Sequence, residues 1–241
     1  MTFDSIGVVM PVRYPVINNK SYALEALASI KTTKNWEPFI IEQWRKNRPL
    51  AQAWNRGITQ AASKHHDYVL VINDDVLLSP WTVDALIDAM NINKRVVMAT
   101  GSNQRGQLGN ADKILDWPKP VHTNEYSEHP DFSCFMVRWD FFDDVGTFDE
   151  NFIPAYFEDN DMHYRIRLLG KLAISTSNAP YLHYGSVTQN GGDSPAVPGH
   201  LFDLNRDYMM QKWGSTDAWN IVNTHPYGNE TLTPRDWMQI R

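Results

Sequence analysis

Short apolar runs alternate with amphipathic stretches along the first hundred residues of the chain. The apolar runs are typical of buried strands and lie at residues 5–12, 38–42, 67–72 and 95–99. Apolar residues recur at helical spacing in the stretches between them, at residues 20–31, 49–62 and 79–90. This alternation predicts a mostly parallel central sheet with right-handed crossovers and helices on both faces.

The remainder of the chain has a less regular pattern. Two further strands and two helices are predicted, at 132–138 and 171–176 and at 159–169 and 200–212 respectively, with Gly170 closing the first helix. Long loops rich in glycine, proline or asparagine are predicted at 101–130 and 189–199, and the tail beyond Gly214 has no clear periodicity. No repeat, linker or low-complexity block divides the 241 residues, so we predict a single α/β domain over 1–241.

Polar side chains follow three of the predicted strands at the point where each strand ends. Arg13 follows the first strand, Glu42 ends the second, and Asn73, Asp74 and Asp75 follow the third. Ligands of parallel α/β sheets bind at the carboxyl ends of the strands. These side chains therefore predict a binding site at that edge of the sheet.

The composition of the chain limits which binding partners and which cellular compartment are expected. The net charge of −6 argues against an extended electrostatic contact with nucleic acid or with an anionic membrane. Cys134 is the single cysteine, so no intrachain disulfide can form, and a reducing cytoplasm fits best. The sequence shows neither a signal-type leader nor the ~20 consecutive apolar residues of a membrane span. We therefore expect a cytoplasmic protein without a membrane span.

Two adjacent carboxylates, Asp74 and Asp75, stand directly after the buried strand at 67–72. Like charges so close together repel, and they are costly near a low-dielectric core unless a cation compensates them. A divalent metal held by carboxylate and phosphate oxygens meets that requirement. The alternative is a turn in which these side chains cap the helix that follows.

A second acidic group, Glu158, Asp159 and Asp161, lies at the start of a predicted helix. Helix capping is the simple explanation, because the helix N-terminus favours negative charge. Three acids exceed what capping needs, and one of them could act as a general base toward a hydroxyl group. His183 follows a short apolar strand and precedes Gly185, a setting in which a metal ligand is plausible.

These three elements, in this order, resemble the inverting glycosyltransferases of GT-A fold, particularly the large bacterial and phage family with rhamnosyl- and galactosyltransferase-like members. The resemblance implies that Asp75 and His183 hold a metal on the nucleotide diphosphate, with Asp74 near the ribose or diphosphate. Asn73 stands where many members have a first Asp. The resemblance also implies a GT-A (Rossmann-like) domain with a nucleotide-sugar-binding half at 1–100, an acceptor and catalytic half at 101–190, and a C-terminal helix and tail at 191–241.

The family pattern G-x-F-D-E followed by E-D-x-D is matched by residues 146–150 and 158–161. The match implies that Asp159 is the general base and that Glu158 and Asp161 bind the acceptor or brace the base. The segment FIIEQWRKNRPLAQAWNRGI is similar to β-1,4-galactosyltransferases. This second likeness places five residues around the nucleotide, namely Pro11, Val12, Arg13, Glu42 and Asn55. Uracil is the commonest base for such a pocket.

Together these likenesses imply a metal-dependent inverting enzyme that moves a sugar from a UDP-sugar to an acceptor hydroxyl. Manganese is favoured over calcium for a mixed oxygen and imidazole site, and magnesium is an alternative. The acceptor would be a glycan or another hydroxyl-bearing molecule, including a hydroxylated base of phage DNA. A retaining enzyme, a nucleotidyltransferase and a non-catalytic nucleotide-sugar or carbohydrate-binding module remain alternatives. A binding module would not need a spare acid at Asp159.

Overall fold

The computed structural model describes residues 5–16, 19–43, 49–120, 126–127, 130–185, 187 and 199–216. The strands are β1 Ser5–Val12, β2 Asn35–Glu42, β3 Tyr68–Ile72, β4 Val76–Leu78, β5 Val96–Asn103, β6 Tyr126–Ser127, β7 Cys134–Arg138 and β8 Leu172–His183. The α-helices are α1 Tyr22–Ser29, α2 Leu50–Ser63, α3 Thr82–Met90, α4 Phe141–Val145, α5 Glu158–Leu168 and α6 Gly199–Trp213, and a 3-10 helix spans Arg105–Asp116. None of the helices within these residues combines the length and apolar character needed to cross a bilayer.

The strands form one sheet in the order β2-β1-β3-β7-β5-β8-β4, with β6 paired to β8. The neighbours β2, β1 and β3 are parallel, and so are β5 and β8. Strand β7 runs antiparallel to both of its neighbours, and β4 and β6 run antiparallel to β8. Five strands therefore point the same way, which confirms the predicted mostly parallel α/β sheet.

Helices cover both faces of the sheet because apolar residues of the central strands point to both sides. One core cluster joins β1 and β3 to apolar residues of α1 and α3, and a second joins the opposite faces of the same strands to α2, α4 and α5. Helix α2 lies close to β1 at Gly57, where an added Cβ would come within 2.2 Å of Val9 Cγ1. The parallel strands β1 and β3 are thus buried on both faces, as their continuous apolar runs predict.

The structure differs from the sequence prediction in strands β8 and β4. The strand predicted at 171–176 continues to His183, because Pro180 and Tyr181 pair with β5 after a register shift. The short strand β4, which follows Asp75 and pairs with β8, was not predicted. Residues 189–198 of the predicted glycine-rich loop lie outside the described residues, as does the tail from residue 217.

The predicted loop at 101–130 is also partly regular, because β5 extends to Asn103 and a 3-10 helix follows. Four apolar residues, three in that helix and one at its C-terminal cap, are spaced three apart, which matches the three residues per turn of a 3-10 helix. Those residues pack on Leu77 and Leu182, and they are Leu108, Ala111, Ile114 and Trp117. The signal was present in the sequence but has the wrong period for an α-helix.

Candidate active site

The ends of three neighbouring parallel strands bring the predicted polar residues to one edge of the sheet. Val12 and Glu42 are partners at the ends of β1 and β2, and the Gln43 N–H donates to the Val12 carbonyl at 2.9 Å. Across from them, the Arg13 N–H donates to Asp74 Oδ2 at 3.3 Å. Pro11 and Val12 are buried within β1, so at this edge they present backbone rather than side chain. Arg13, Glu42 and Asp74 are thus gathered as the strand pattern predicts.

Asp75 and His183, the predicted metal ligands, are in contact. The pairing of Val76 with His183 between β4 and β8 aligns them, and His183 Nε2 lies 2.9 Å from Asp75 Oδ1. The other carboxylate oxygen, Oδ2, accepts a hydrogen bond from the Val187 N–H at 3.4 Å. Asp75 is buried, so its carboxylate is held in a defined orientation.

The pKa values of Asp74 and His183 are changed by burial and by the nearby carboxylate of Asp75. Burial, and then the negative charge of Asp75, raise the pKa of Asp74 to about 7. Burial by itself lowers the pKa of His183, but the hydrogen bond and charge of Asp75 outweigh it, so the net pKa is raised. In the part of the chain that the structure describes, no three His, Cys, Asp or Glu side chains are grouped as a complete metal site. A metal at Asp75 and His183 would thus take its other ligands from elsewhere.

Helix α5 begins in a strained turn that aims backbone N–H groups at the acids. Tyr156 and Phe157 have φ angles of 81° and 73°, in the left-handed region that side-chain-bearing residues avoid. The Tyr156 N–H bonds the Glu158 carboxylate, and the N–H groups of Phe157 and Asn160 bond that of Asp159. Strain of this kind costs about 1–3 kcal/mol per residue and concentrates at functional sites.

Glu158 and Asp159 are the two acids of this turn whose proton affinity is raised. Burial, followed by the charge of Asp159, raises the pKa of Glu158, whose buried Oε2 has no hydrogen-bond partner among the described residues. Burial also raises the pKa of Asp159, with a further contribution from the charge of Asp131. A carboxylate that binds protons more readily than usual is suited to accept one from a hydroxyl group.

Asp161 lies in the same turn but in a different environment. It is fully buried and forms an ion pair with Arg165, 3.0 Å away, and another with Lys212, 2.7 Å away. The Trp213 indole N–H also donates to it at 2.8 Å. Its oxygens thus already bind Arg165, Lys212 and Trp213 within the protein. Of the two roles that the sequence resemblance implied, bracing matches this geometry.

The side-chain amide of Asn55 also forms hydrogen bonds within the protein. Its amide nitrogen donates to the Phe148 carbonyl at 2.8 Å and to Glu150 Oε1 at 2.9 Å. Its amide oxygen accepts from the Phe148 N–H at 2.8 Å. Asn55 therefore fastens the segment ahead of α5 to α2, because its position on α2 faces the 146–150 segment. Its contact with the nucleotide stays a prediction.

Two charged residues near the site were missed by the sequence reasoning. Asp131 precedes β7, and because β7 is antiparallel to β3, it begins at the edge where β3 ends. Arg105 begins the 3-10 helix, and its Nη2 would lie 3.6 Å from a Cβ placed on Gly185, two residues after His183. Asp131 can be assigned to this edge only when β7 is known to run antiparallel to β3, and a sequence pattern does not reveal the direction of a strand.

Comparison with known proteins decides the family. Residues 11–141, more than half of the chain, match the model of glycosyl transferase family 2. The chain belongs to glycosyl transferase family 2. The predicted family resemblance and the predicted class of protein, a glycosyltransferase, are thereby confirmed.

Relatives of this family 2 chain carry the same class name. The N-acetylglucosaminyl-diphospho-decaprenol L-rhamnosyltransferase of Mycobacterium tuberculosis is 29% identical over 165 residues, which are 57% of this chain and 53% of that protein. A galactofuranosyl glycosyltransferase of Leishmania donovani is 34% identical over 87 residues, 36% of this chain and 20% of that one. The chain thus spans about half the length of the mycobacterial relative.

Solved structures support the GT-A fold. GalNAc-T7 crystallised with UDP, GalNAc and Mn²⁺ superposes with a TM-score of 0.57 at 12% identity, covering 76% of this chain and 44% of that one. The catalytic domain of Drosophila β1,4-galactosyltransferase 7, crystallised with xylobiose, gives 0.55 at 14% identity, covering 84% and 79%. At such identities the likeness shows the fold, which is the predicted one.

Proposed function

We propose that this family 2 protein is a metal-dependent inverting glycosyltransferase that moves a sugar from a UDP-sugar to an acceptor hydroxyl. The observation that carries the proposal is the presence of two distinct acid centres at one edge of the sheet. One is the contact pair Asp75 and His183, and the other is the strained turn that presents Glu158 and Asp159. The Asp75 and His183 pair could hold a metal that stabilises the departing diphosphate. The carboxylates of Glu158 and Asp159 could accept the proton of the attacking hydroxyl.

The donor centre would be built from Asp75, His183 and the strand ends beside them. Asp75 and His183 would hold the metal ion, since a carboxylate oxygen and an imidazole nitrogen together suit Mn²⁺, with Mg²⁺ as the alternative. Such an ion supplies positive charge to the departing diphosphate. The structural neighbour GalNAc-T7 was crystallised with both UDP and Mn²⁺, which supports this choice of ligand and metal.

The nucleotide would lie along the ends of β1, β2 and β3. Arg13 offers a guanidinium to phosphate, while Asn73 and Asp74 offer polar groups near the ribose or diphosphate. Glu42 and the backbone of Pro11 and Val12 border the same edge. Asn55, whose amide is bound to Phe148 and Glu150, stays a predicted contact of the nucleotide.

Asp159 is the proposed general base. It would take the proton of the acceptor hydroxyl as that oxygen attacks the anomeric carbon and the bond to the diphosphate breaks. One displacement with one base inverts the anomeric configuration. Its raised pKa suits proton abstraction, and general-base catalysis contributes roughly 10²–10⁴-fold to the rate. Glu158 would contact the acceptor, and Asp161 would brace the turn that carries the base. The proposed acceptor is a glycan or another molecule that offers a hydroxyl group.

A donor screen tests this function. The chain is incubated with UDP-, GDP-, dTDP- and CMP-sugars with Mn²⁺, with Mg²⁺ or with chelator, and release of the nucleotide is measured. We expect UDP release that requires a divalent metal, and we expect Asp75→Ala to abolish it and to weaken UDP binding. The exposed variant Asp207→Ala on α6 is the matched control and should behave as wild type. Full activity in excess chelator would contradict the metal-dependent proposal.

A further inference from the structure

Asp131 stands at the same edge of the sheet as the two acid centres. Its backbone N–H donates to Thr100 Oγ1 on β5 at 3.2 Å. Two residues later, the Ser133 carbonyl accepts the Asn73 N–H at 2.9 Å, which ties this turn to the segment that carries Asp75. Asp131 is partly exposed, so its carboxylate can meet a ligand.

The Asp131 carboxylate is oriented by groups from two strands. Its Oδ1 accepts hydrogen bonds from the N–H of Ser133, at 2.9 Å, and from the Ser133 hydroxyl. The Tyr181 hydroxyl on β8 lies 2.8 Å from Ser133 Oγ and also bonds Asp131. The Tyr181 ring reaches this point by passing over Gly101, where an added Cβ would come within 2.7 Å of the ring. Asp131 is therefore held in place rather than left mobile.

Asp131 has no cationic partner within the described ranges, in contrast to Asp149 and Asp161. Asp149 pairs with Lys212 at 2.6 Å, and Asp161 pairs with both Lys212 and Arg165. Burial, and then the negative charge of Asp131, raise the pKa of Asp159 against the backbone hydrogen bonds that lower it, so Asp131 acts electrostatically on the proposed base. Through Ser133, which bonds both Asp131 and Asn73, the Asp131 turn is also tied to the segment that carries the proposed metal ligand Asp75.

We propose that Asp131 binds hydroxyl groups of the sugar that is transferred and so helps to select the donor. The inference rests on the proposed function, because a sugar ring must lie between the diphosphate and the attacking acceptor oxygen. An ionised carboxylate only accepts hydrogen bonds and repels phosphate, so the part of the donor that it contacts must offer hydrogen-bond donors. Sugar hydroxyls meet that requirement, whereas the diphosphate does not.

The test compares UDP with a UDP-sugar in wild type and in Asp131→Asn. The variant keeps an oxygen that accepts from Ser133 but loses the charge. Affinities are measured by calorimetry with Mn²⁺ for UDP and for UDP-glucose, UDP-galactose and UDP-N-acetylglucosamine. We expect UDP affinity to stay within about twofold and affinity for the preferred UDP-sugar to fall about 10- to 100-fold, as for loss of a charge-assisted hydrogen bond. The exposed variant Asp112→Asn is the matched control and should change neither affinity.

UDP-sugar analogues that lack one hydroxyl group test which hydroxyl Asp131 contacts. For the analogue that lacks the contacted hydroxyl, wild type and Asp131→Asn should bind equally, since the interaction is already lost. If Asp131→Asn does not fold, Ser133→Ala serves the same comparison, because it removes the hydroxyl that orients the carboxylate.

The outcomes separate this inference from the function on which it rests. An equal loss for UDP and UDP-sugar would overturn the inference and place Asp131 at the diphosphate. Normal donor binding by Asp131→Asn would overturn it while leaving the proposed function intact. Failure of wild type to bind any of these ligands with metal would overturn both.

Discussion

At the residue scale, partners decide which acid of the α5 turn is available for chemistry. Asp159 and Asp161 lie two positions apart, yet Asp161 is neutralised by Arg165 and Lys212. Among the residues that the structure describes, Asp159 is bonded only by backbone N–H groups in its own turn, and its pKa is raised by burial and by Asp131. A carboxylate with cationic partners is a poor proton acceptor, so the contrast favours Asp159 as the base.

The pH dependence of turnover follows from that environment. Because burial raises the pKa of Asp159 above its ordinary value, kcat should fall as pH falls through this raised pKa. Asp131→Asn removes a neighbouring negative charge, which lowers the pKa of Asp159, so the acid limb should move to lower pH. The measurement is kcat against pH at saturating donor for both proteins. An unchanged limb, or a shift to higher pH, would contradict the proposed electrostatic contact.

At the element scale, α6 is fastened to the turn that carries the acids. Lys212 lies between Asp149 and Asp161, and Asn205 donates to the carbonyls of Ala155 and Tyr156 at 2.9 and 3.3 Å. Trp213 packs edge-on against Tyr164 of α5, with ring centroids 4.4 Å apart. Helix α6 therefore supports the strained start of α5.

Lys212→Met should destabilise the protein strongly. The change leaves the carboxylates of Asp149 and Asp161 without their shared cation, and breaking a buried ion pair from one side costs about 3–5 kcal/mol. The control is Arg206→Met on the same helix, whose pairs with Asp203 and Asp207 are exposed and worth at most about 1 kcal/mol. The free energy of unfolding is measured in urea for both variants. Equal losses would contradict the bracing role of Lys212.

Features set by local patterns were the ones that the sequence predicted. Short apolar runs predicted the strands β1 and β3, because a strand buried on both faces needs apolar residues along its whole length. The acids that follow β3 were recognised by their position directly after such a run. The partners of Asn55 and Asp161 could not be predicted, since Phe148 and Lys212 are far along the chain. The same limit applies to Asp131, which reaches the site through the antiparallel pairing of β7.

At the scale of the whole molecule, the fold gathers groups from distant segments at one edge of a rigid sheet. Asp75 and His183 are more than a hundred positions apart in the sequence. A ligand that contacts several of these segments at once should stabilise the native state against unfolding, by mass action. Nucleotide binding is therefore measurable through the stability of the whole protein.

UDP should raise the thermal midpoint in a metal-dependent way. At a concentration of about 100 Kd the stabilisation is about 2.7 kcal/mol, which corresponds to roughly 5–11 °C for a chain of this size. The shift should need Mn²⁺ or Mg²⁺ and should be lost in Asp75→Ala. Differential scanning fluorimetry with UDP, GDP and CDP provides the measurement. The absence of a shift with any nucleoside diphosphate would contradict the nucleotide site.

The most direct test of the proposed reaction is the turnover of Asp159→Asn with a competent donor and acceptor. Asparagine keeps the shape and one oxygen that can accept the Asn160 N–H, but it cannot take the acceptor proton. We expect kcat to fall roughly 10²–10⁴-fold while the affinity for the donor is nearly unchanged. Near-wild-type turnover would contradict the account, because a residue that only caps α5 is replaced well by asparagine.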